Sequence, residues 1–246
     1  MAADPVCTPT PSPTLRRERA LHRAGVRFVI GCDEVGRGAL AGPVAVGLCA
    51  IDASVRSAPA GLKDSKLLPS RRREELEPAA RSWARFCSVG LASNEEIDRL
   101  GLTRALGIAG VRALAGLREQ GMPVLGSVVL LDGKHDWLSL ALGRATHGPH
   151  PLGVVTRIKA DVDCASVSAA SVLAKVHRDR LMIEHDQAEP RYGWRSNKGY
   201  GSAAHYAALA QHGPTDFHRR TWLSPSGEPG ADGRVRPESA CSVTDA

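Results

Sequence analysis

Two adjacent acids interrupt an apolar stretch near the start of the chain. In VIGCDEVGRGALAGPV, residues 29–44, Asp33 and Glu34 follow a run that predicts a buried strand, and a Gly-Arg-Gly turn comes directly after them. Successive strand residues face opposite ways, so Glu34 joins Asp33 only if the chain is already turning. The glycines favour such a turn.

Two more acids follow apolar runs, because Asp132 ends VVLLD and Asp161 follows VVTRIKA. Ligands of α/β proteins bind beyond strand ends, so the four acids converge if those ends are neighbours. Clustered carboxylates repel one another unless cations lie among them, and Mg²⁺ or Mn²⁺ are the hard ions that prefer oxygen ligands. Two such ions can clamp both oxygens of a phosphodiester, which indicates a metal-dependent nuclease.

Two other interpretations of these residues remain open. Each acid can simply cap a turn, since Asp is common after strands. GRGALA also matches a relaxed dinucleotide fingerprint, G-x-G-x-x-A. A true fingerprint opens a helix, however, and here a strand-like PVAVGLCAI follows, so we consider a nucleotide-binding enzyme the weaker hypothesis.

The elements that must position these acids alternate between strands and helices. Early strands with short links, followed by alternating strands and helices, predict an α/β fold with a mixed sheet. Ser93 and Glu96 have capping-box spacing for a helix that restarts near Thr103 and runs to 119. The predicted strands are 27–32, 43–51, 85–92, 126–131 and 152–159, and the other predicted helices are 70–82, 165–185 and 202–211.

The length and composition of the chain limit the classes of protein to which it can belong. The chain has 246 residues, enough for a large core, and a formal net charge of +6, which is compatible with a polyanionic partner. No apolar run approaches the roughly 20 residues that span a bilayer, and the N-terminus has no signal-like core, which predicts a cytoplasmic protein. The six scattered cysteines lack CxxC spacing, which argues against a zinc site and against disulfides. We expect unordered tails at 1–25 and 224–246, with one domain at 26–223 between them.

Over residues 26–222 the chain resembles the bacterial ribonuclease HII family. The blocks that carry the resemblance occur in this order: GCDEVGRGALAGPV, LKDSKLL (62–68), LLDGK (130–134), KAD (159–161), ASVSAASVLAKVHRDRLM (165–182), KGYG (198–201) and HGPTDFHRRTW (212–222). The resemblance implies a ribonuclease H-like fold, with a central mixed five-stranded sheet flanked by helices and a small helical C-terminal part. It also implies a catalytic, metal-binding site of four acids: Asp33, Glu34, Asp132 and Asp161. Asp163 is expected to lie on the surface.

The resemblance further implies the reaction. Family enzymes cut the RNA strand of RNA–DNA hybrids and cut 5′ to single ribonucleotides in duplex DNA, leaving 3′-hydroxyl and 5′-phosphate ends. They use Mn²⁺ or Mg²⁺, with two ions expected during catalysis. The expected partners are therefore RNA–DNA hybrid and ribonucleotide-containing DNA, with no membrane, and we expect a monomer. A module that binds hybrids without cutting them is the alternative.

The resemblance assigns substrate contacts as well. Gly36, Arg37 and Gly38 are expected to lie against the ribonucleotide, where glycine permits close approach and the 2′-hydroxyl separates RNA from DNA. Tyr200 matches the family tyrosine that packs on the sugar, although an ordinary loop tyrosine explains it without the family. The other expected contacts are Lys63, Lys66, Ser171, Lys175 and Lys198. Arg178 is a further candidate for a phosphate contact, although a charge on a helix is usually only solvated.

Overall fold

A mixed sheet of five strands forms the centre of the protein. The computed structural model describes residues 12–146, 148 and 150–223. The spatial order is β3-β2-β1-β4-β5, with antiparallel pairing among the first three strands and parallel pairing of β1 with β4 and β4 with β5. The sheet therefore confirms the predicted mixed topology. The strands are β1 (Phe28–Val35), β2 (Val44–Ile51), β3 (Phe86–Ala92), β4 (Ser127–Asp132) and β5 (Gly153–Arg157).

Helices flank both faces of this sheet, and the last two helices form the small C-terminal part that was expected. None of the helices in the described ranges has the length and apolarity needed to cross a bilayer. The helices are α1 (Arg16–Arg23), α2 (Ser70–Trp83), α3 (Asn94–Leu100), α4 (Leu102–Glu119), α5 (Leu138–Thr146), α6 (Ala160–Asp163), α7 (Ala165–Ala188), α8 (Trp194–Asn197) and α9 (Ala203–His212).

The two sheet faces bury separate apolar clusters. In β1, Ile30 packs with α4 on one face, while its neighbour Val29 packs with α7 on the other. Both faces are covered, which explains why the strands appear in the sequence as nearly continuous apolar runs.

Two glycines bring α7 unusually close to the sheet. A Cβ on Gly31 would lie 2.1 Å from the carbonyl carbon of Ser166, and one on Gly47 would lie 2.3 Å from the Ala170 oxygen. Any side chain at either position would collide with the helix backbone. The glycines therefore fix α7 along β1 and β2, beside Asp33.

The N-terminal segment departs from the expected unordered tail. Residues 16–23 form α1, and Thr14 bonds to the backbone on both sides of Cys164. Glu18 is fully buried and accepts hydrogen bonds from the Ser166 amide (2.9 Å) and hydroxyl (2.8 Å). These contacts tie α1 to the start of α7, because a carboxylate satisfies free amides at a helix N-terminus. The remaining predicted tails, 1–11 and 224–246, lie outside the described residues.

The capping box at Ser93 is confirmed. The Ser93 hydroxyl accepts from the Glu96 amide (3.1 Å), and the Glu96 carboxylate accepts from the Ser93 amide (3.0 Å). We expect Ser93→Ala to lower the free energy of unfolding by about 1 kcal/mol, the usual effect of losing such a cap. Urea unfolding measures this, with Ser82→Ala in an exposed helix turn as the control. An equal loss in both variants would contradict the prediction.

Candidate active site

The first two acids lie within β1 rather than beyond it. Strand β1 continues to Val35, and the chain turns only at Gly36, with φ +89°. The expected turn at Glu34 is therefore absent, and the two side chains leave opposite faces of the strand. Asp33 is 4% exposed on the face that packs against α7, and Glu34 is also largely buried. The Asp33 Oδ1 also accepts from the Glu34 amide (2.8 Å).

Asp132 and Asp161 are joined by a helix cap. Asp132 ends β4, and its Oδ1 accepts from the amides of Ala160 (2.7 Å) and Asp161 (3.4 Å). Asp161 is not at a strand end as predicted, because β5 stops at Arg157 and Asp161 belongs to the short helix α6. Asp132 therefore does act as a cap. Its hydrogen bonds to the start of α6 hold the Asp161 backbone beside the Asp132 side chain.

A fifth acid and a lysine complete the cluster. The Lys66 Nζ lies 3.2 Å from Asp161 Oδ2, and the Lys66 amide donates to Asp64 (3.0 Å). Asp64 is 6% exposed and lies beside Asp161. Sequence reasoning missed Asp64, although it stands between the two lysines of LKDSKLL that were singled out. The only signal in the sequence was an acid placed between two lysines that were expected to contact phosphates.

Three serines support this arrangement of the acids. The Ser65 and Ser171 hydroxyls are 2.7 Å apart and buried, and the Ser171 hydroxyl lies beside the Asp33 carboxyl. The Ser168 hydroxyl donates to the Asp161 carbonyl. Ser171 is 2% exposed, which leaves it little surface for a substrate and gives it a place in the support of Asp33.

The pKa values describe a site with excess negative charge. Burial, followed by the charge of Glu34, raises the pKa of Asp33 well above its usual range. Burial also raises the pKa values of Glu34, Asp64 and Asp132. Burial alone would lower the pKa of Lys66, but the charges of Asp33 and Asp161 raise it instead. Burial disfavours the ionised forms of these acids. The positive charge of Lys66 therefore offsets part of their negative charge.

The donor set fits a hard divalent cation. All the candidate ligands are carboxylates, and the Glu34 Oε2 is buried without a hydrogen-bond partner. Across the described ranges, no three His, Cys, Asp or Glu side chains converge tightly enough to enclose an ion as they stand.

Two glycine-containing loops meet beside the acids. We call 36–43 the glycine loop and 198–201 the tyrosine loop. The amides of Leu40 (2.7 Å) and Ala41 (3.2 Å) donate to the Gly199 carbonyl, and Ala39 pairs with Tyr200. The Arg37 guanidinium donates to Glu34 (2.7 Å), so the glycine loop also contacts the acidic cluster.

Two buried histidines support the tyrosine loop through a chain of hydrogen bonds. His205 Nδ1 lies 2.9 Å from the Tyr200 carbonyl, which requires the proton on Nδ1 and makes Nε2 an acceptor. His218 Nδ1 accepts from the Thr215 amide (3.0 Å), so its Nε2–H donates to His205 Nε2 (3.1 Å). Burial lowers the pKa of both rings, that of His218 to about 4.

The basic residues expected at the substrate fall into two groups. Lys63 and Lys66 flank the acids with accessible side chains, and Lys198 lies in the tyrosine loop, where its ammonium bonds to the Arg195 carbonyl. Lys175 is 16% exposed and paired with Asp179, which in turn pairs with Arg73. Arg178 is 0% exposed, so it offers no surface for a phosphate contact.

Comparison with known proteins gives one consistent result. The family model described as Ribonuclease HII matches residues 30–224. Ribonuclease HII of Streptomyces griseus is 49% identical over 220 residues, covering 87% of this chain and 85% of the relative. That of Paracoccus denitrificans is 45% identical over 214 residues, covering 85% and 91%. The crystal structure of ribonuclease H2 from Pyrococcus horikoshii OT3 has a TM-score of 0.62 and 28% identity, covering 79% of this chain and 93% of that one.

Proposed function

The chain belongs to the ribonuclease HII family, and on that basis we propose that it nicks duplex DNA on the 5′ side of a single embedded ribonucleotide. It is an endonuclease of the ribonuclease H type. In the proposal it also cuts the RNA strand of RNA–DNA hybrids, and both reactions leave 3′-hydroxyl and 5′-phosphate ends. Its task is then the removal of ribonucleotides from DNA.

The observation that carries the proposal is the junction of the two loops beside the acids. The Leu40 amide reaches the Gly199 carbonyl at 2.7 Å, and Arg37 reaches Glu34 at 2.7 Å. Recognition of a ribose and cleavage next to it require a surface for the 2′-hydroxyl within one nucleotide of the reacting phosphate. Gly36 and Gly38 allow that surface to consist of backbone groups.

In this proposal four acids hold the divalent ions, and their neighbours hold the acids. Asp33, Glu34, Asp132 and Asp161 are the ligands, with Mg²⁺ or Mn²⁺ as the ion. When bound, two such ions supply an activated water and stabilise the charge of the departing 3′-oxygen. Ser171 supports Asp33, and the Asp132 carboxylate keeps α6 and Asp161 in place.

Cations at the rim of the site are proposed to hold the nucleic-acid backbone. Lys63, Lys66 and Lys198 have accessible side chains near the acids or the loops, and phosphate contacts of this kind position a duplex without reading its sequence. Ser171 and Lys175, which the resemblance placed at the substrate, are instead assigned to support, because both are largely buried and engaged with protein groups. We further propose that the protein is a cytoplasmic monomer that acts on ribonucleotide-containing duplex DNA.

The test is cleavage of a labelled DNA duplex that carries one ribonucleotide, in Mg²⁺ or Mn²⁺. We expect one nick, 5′ to the ribonucleotide, with no cut in an all-DNA duplex and none after chelation. Cleavage of a long hybrid but not of this duplex would remove the role proposed for the two loops. No cleavage of either substrate by folded protein would refute the proposed function.

A further inference from the structure

Two arginines lie fully buried beneath the glycine loop. Arg178 of α7 and Arg219 near the C-terminus are each 0% exposed. Within the described part of the chain, neither forms an ion pair with a carboxylate. Burial lowers the pKa of both, that of Arg219 to about 9, and the charge of Arg178 contributes to the shift of Arg219. Burying unpaired charge is costly, so these side chains must satisfy their donors in another way.

Each of the three guanidinium nitrogens of Arg219 donates to a carbonyl of the glycine loop. Its Nη2 donates to the Gly36 carbonyl (2.7 Å), Nη1 to the Arg37 carbonyl (3.0 Å) and Nε to the Gly42 carbonyl (3.1 Å). The planar guanidinium of Arg219 therefore holds both ends of the glycine loop, residues 36 and 37 at one end and residue 42 at the other. A lysine cannot do the same, since its ammonium is a single point of charge.

This contact determines where the loop amides point. All peptide bonds in the described residues are trans, so each carbonyl points opposite to the amide of the next residue. Because the Gly36 and Arg37 carbonyls turn inward to Arg219, the amides of Arg37 and Gly38 turn outward. Neither amide donates to another group of the described chain. Both are therefore available to an acceptor on a ligand.

Arg178 connects the tyrosine loop to the C-terminal end of the glycine loop. Its Nε donates to the Pro43 carbonyl (2.8 Å), Nη2 to the Ala41 carbonyl (3.0 Å) and Nη1 to the Lys198 carbonyl (2.8 Å). Its guanidinium carbon lies 5.6 Å from the centre of the Tyr200 ring, within the range of a cation–π contact. A Cβ at Gly36 would lie 2.3 Å from the same Nε, so Gly36 also permits this packing.

We propose that Arg219 and Arg178 are the positioning residues for ribose recognition: Arg219 aims the Arg37 and Gly38 amides at the ribonucleotide, and Arg178 holds Tyr200 in register with them. This inference rests on the proposed function and names the residues that create its specificity. Neither arginine touches the substrate. Both act through backbone groups and the tyrosine ring.

The test compares Arg219→Lys and Arg178→Lys with the wild type on two substrates, a duplex with one ribonucleotide and a long RNA–DNA hybrid. We expect kcat/KM on the single ribonucleotide to fall about tenfold or more, the usual effect of losing a hydrogen bond to a charged group. The hybrid offers a 2′-hydroxyl at every position of the strand, so its kcat/KM should fall much less. Arg220→Lys is the matched control, because Arg220 is the next residue but is 62% exposed and paired with Asp216.

Equal losses on both substrates would indicate a merely structural role and would overturn the inference. Unchanged kcat/KM on both substrates would overturn it as well. No nick by the wild type would instead overturn the proposed function, and the inference with it.

If neither lysine variant folds, amide exchange measured by NMR on the metal-free wild type decides the question. The Arg37 and Gly38 amides should become protected with the single-ribonucleotide duplex and not with all-DNA duplex. Equal protection by both duplexes, or by neither, overturns the proposal.

Discussion

Asp33→Asn is expected to abolish cleavage while the protein stays folded. Asn keeps the shape of the side chain and removes the charge that a divalent ion requires. We expect kcat to fall by about 1000-fold or more, beyond the roughly 10–100-fold typical of losing an outer-shell partner of a metal site. Single-turnover assays on the single-ribonucleotide duplex measure this. Near-normal turnover would remove Asp33 from the site.

The same variant should not lose stability. Burial raises the pKa of Asp33 in the folded protein, so the wild type loses stability as the pH rises from the pKa of the unfolded chain through that raised pKa. In metal-free buffer at pH 8 we therefore expect Tm of Asp33→Asn to equal or exceed that of the wild type. The difference should shrink as the pH falls towards 4, where the wild-type carboxyl is protonated.

Asp163→Asn is the matched control for this experiment. Asp163 lies two residues from Asp161, but its side chain is 45% exposed and paired with Arg157. We expect normal cleavage from this variant. A large loss would mean that the assignment of the acid in 159–163 is wrong.

Tyr200→Ala is expected to slow cleavage at single ribonucleotides selectively. Loss of a stacking ring typically costs about 1–3 kcal/mol, which corresponds to roughly 5–150-fold in kcat/KM. The ring is partly exposed at the junction of the two loops, and its backbone is held by Ala39 and by His205. Long hybrids should be affected less, since a hybrid can engage the site in many registers.

Tyr200→Phe separates the ring from its hydroxyl. We expect this variant to keep most of the activity, because packing on a sugar requires the ring face. Unchanged kinetics of Tyr200→Ala on single ribonucleotides would refute the role at the junction. A loss in Tyr200→Phe as large as in Tyr200→Ala would assign the effect to the hydroxyl instead.

Much of the fold was predictable because its local patterns are strong. The apolar runs of β1, β2 and β4 predicted strands to within a few residues, since a strand covered on both faces leaves little choice of residue. The capping box at Ser93 was predictable for a similar reason, as both of its hydrogen bonds lie within four residues. Helices α1 and α5 were missed. Helix α1 is rich in arginine and stabilised by Glu18 through contacts with the distant residue Ser166.

The sequence by itself identified the family of this protein, because the acids, the glycines and the order of the blocks are local properties. Only the tertiary structure decided which groups meet. Asp64 and Lys66 reach Asp161 across about a hundred residues, and Arg219 reaches the Gly36 carbonyl across 183 residues. No local pattern distinguishes a buried arginine that orients a loop from a solvated one on a helix, since both have the same donors. Their different roles follow from burial, which removes water and leaves the backbone carbonyls as the available acceptors.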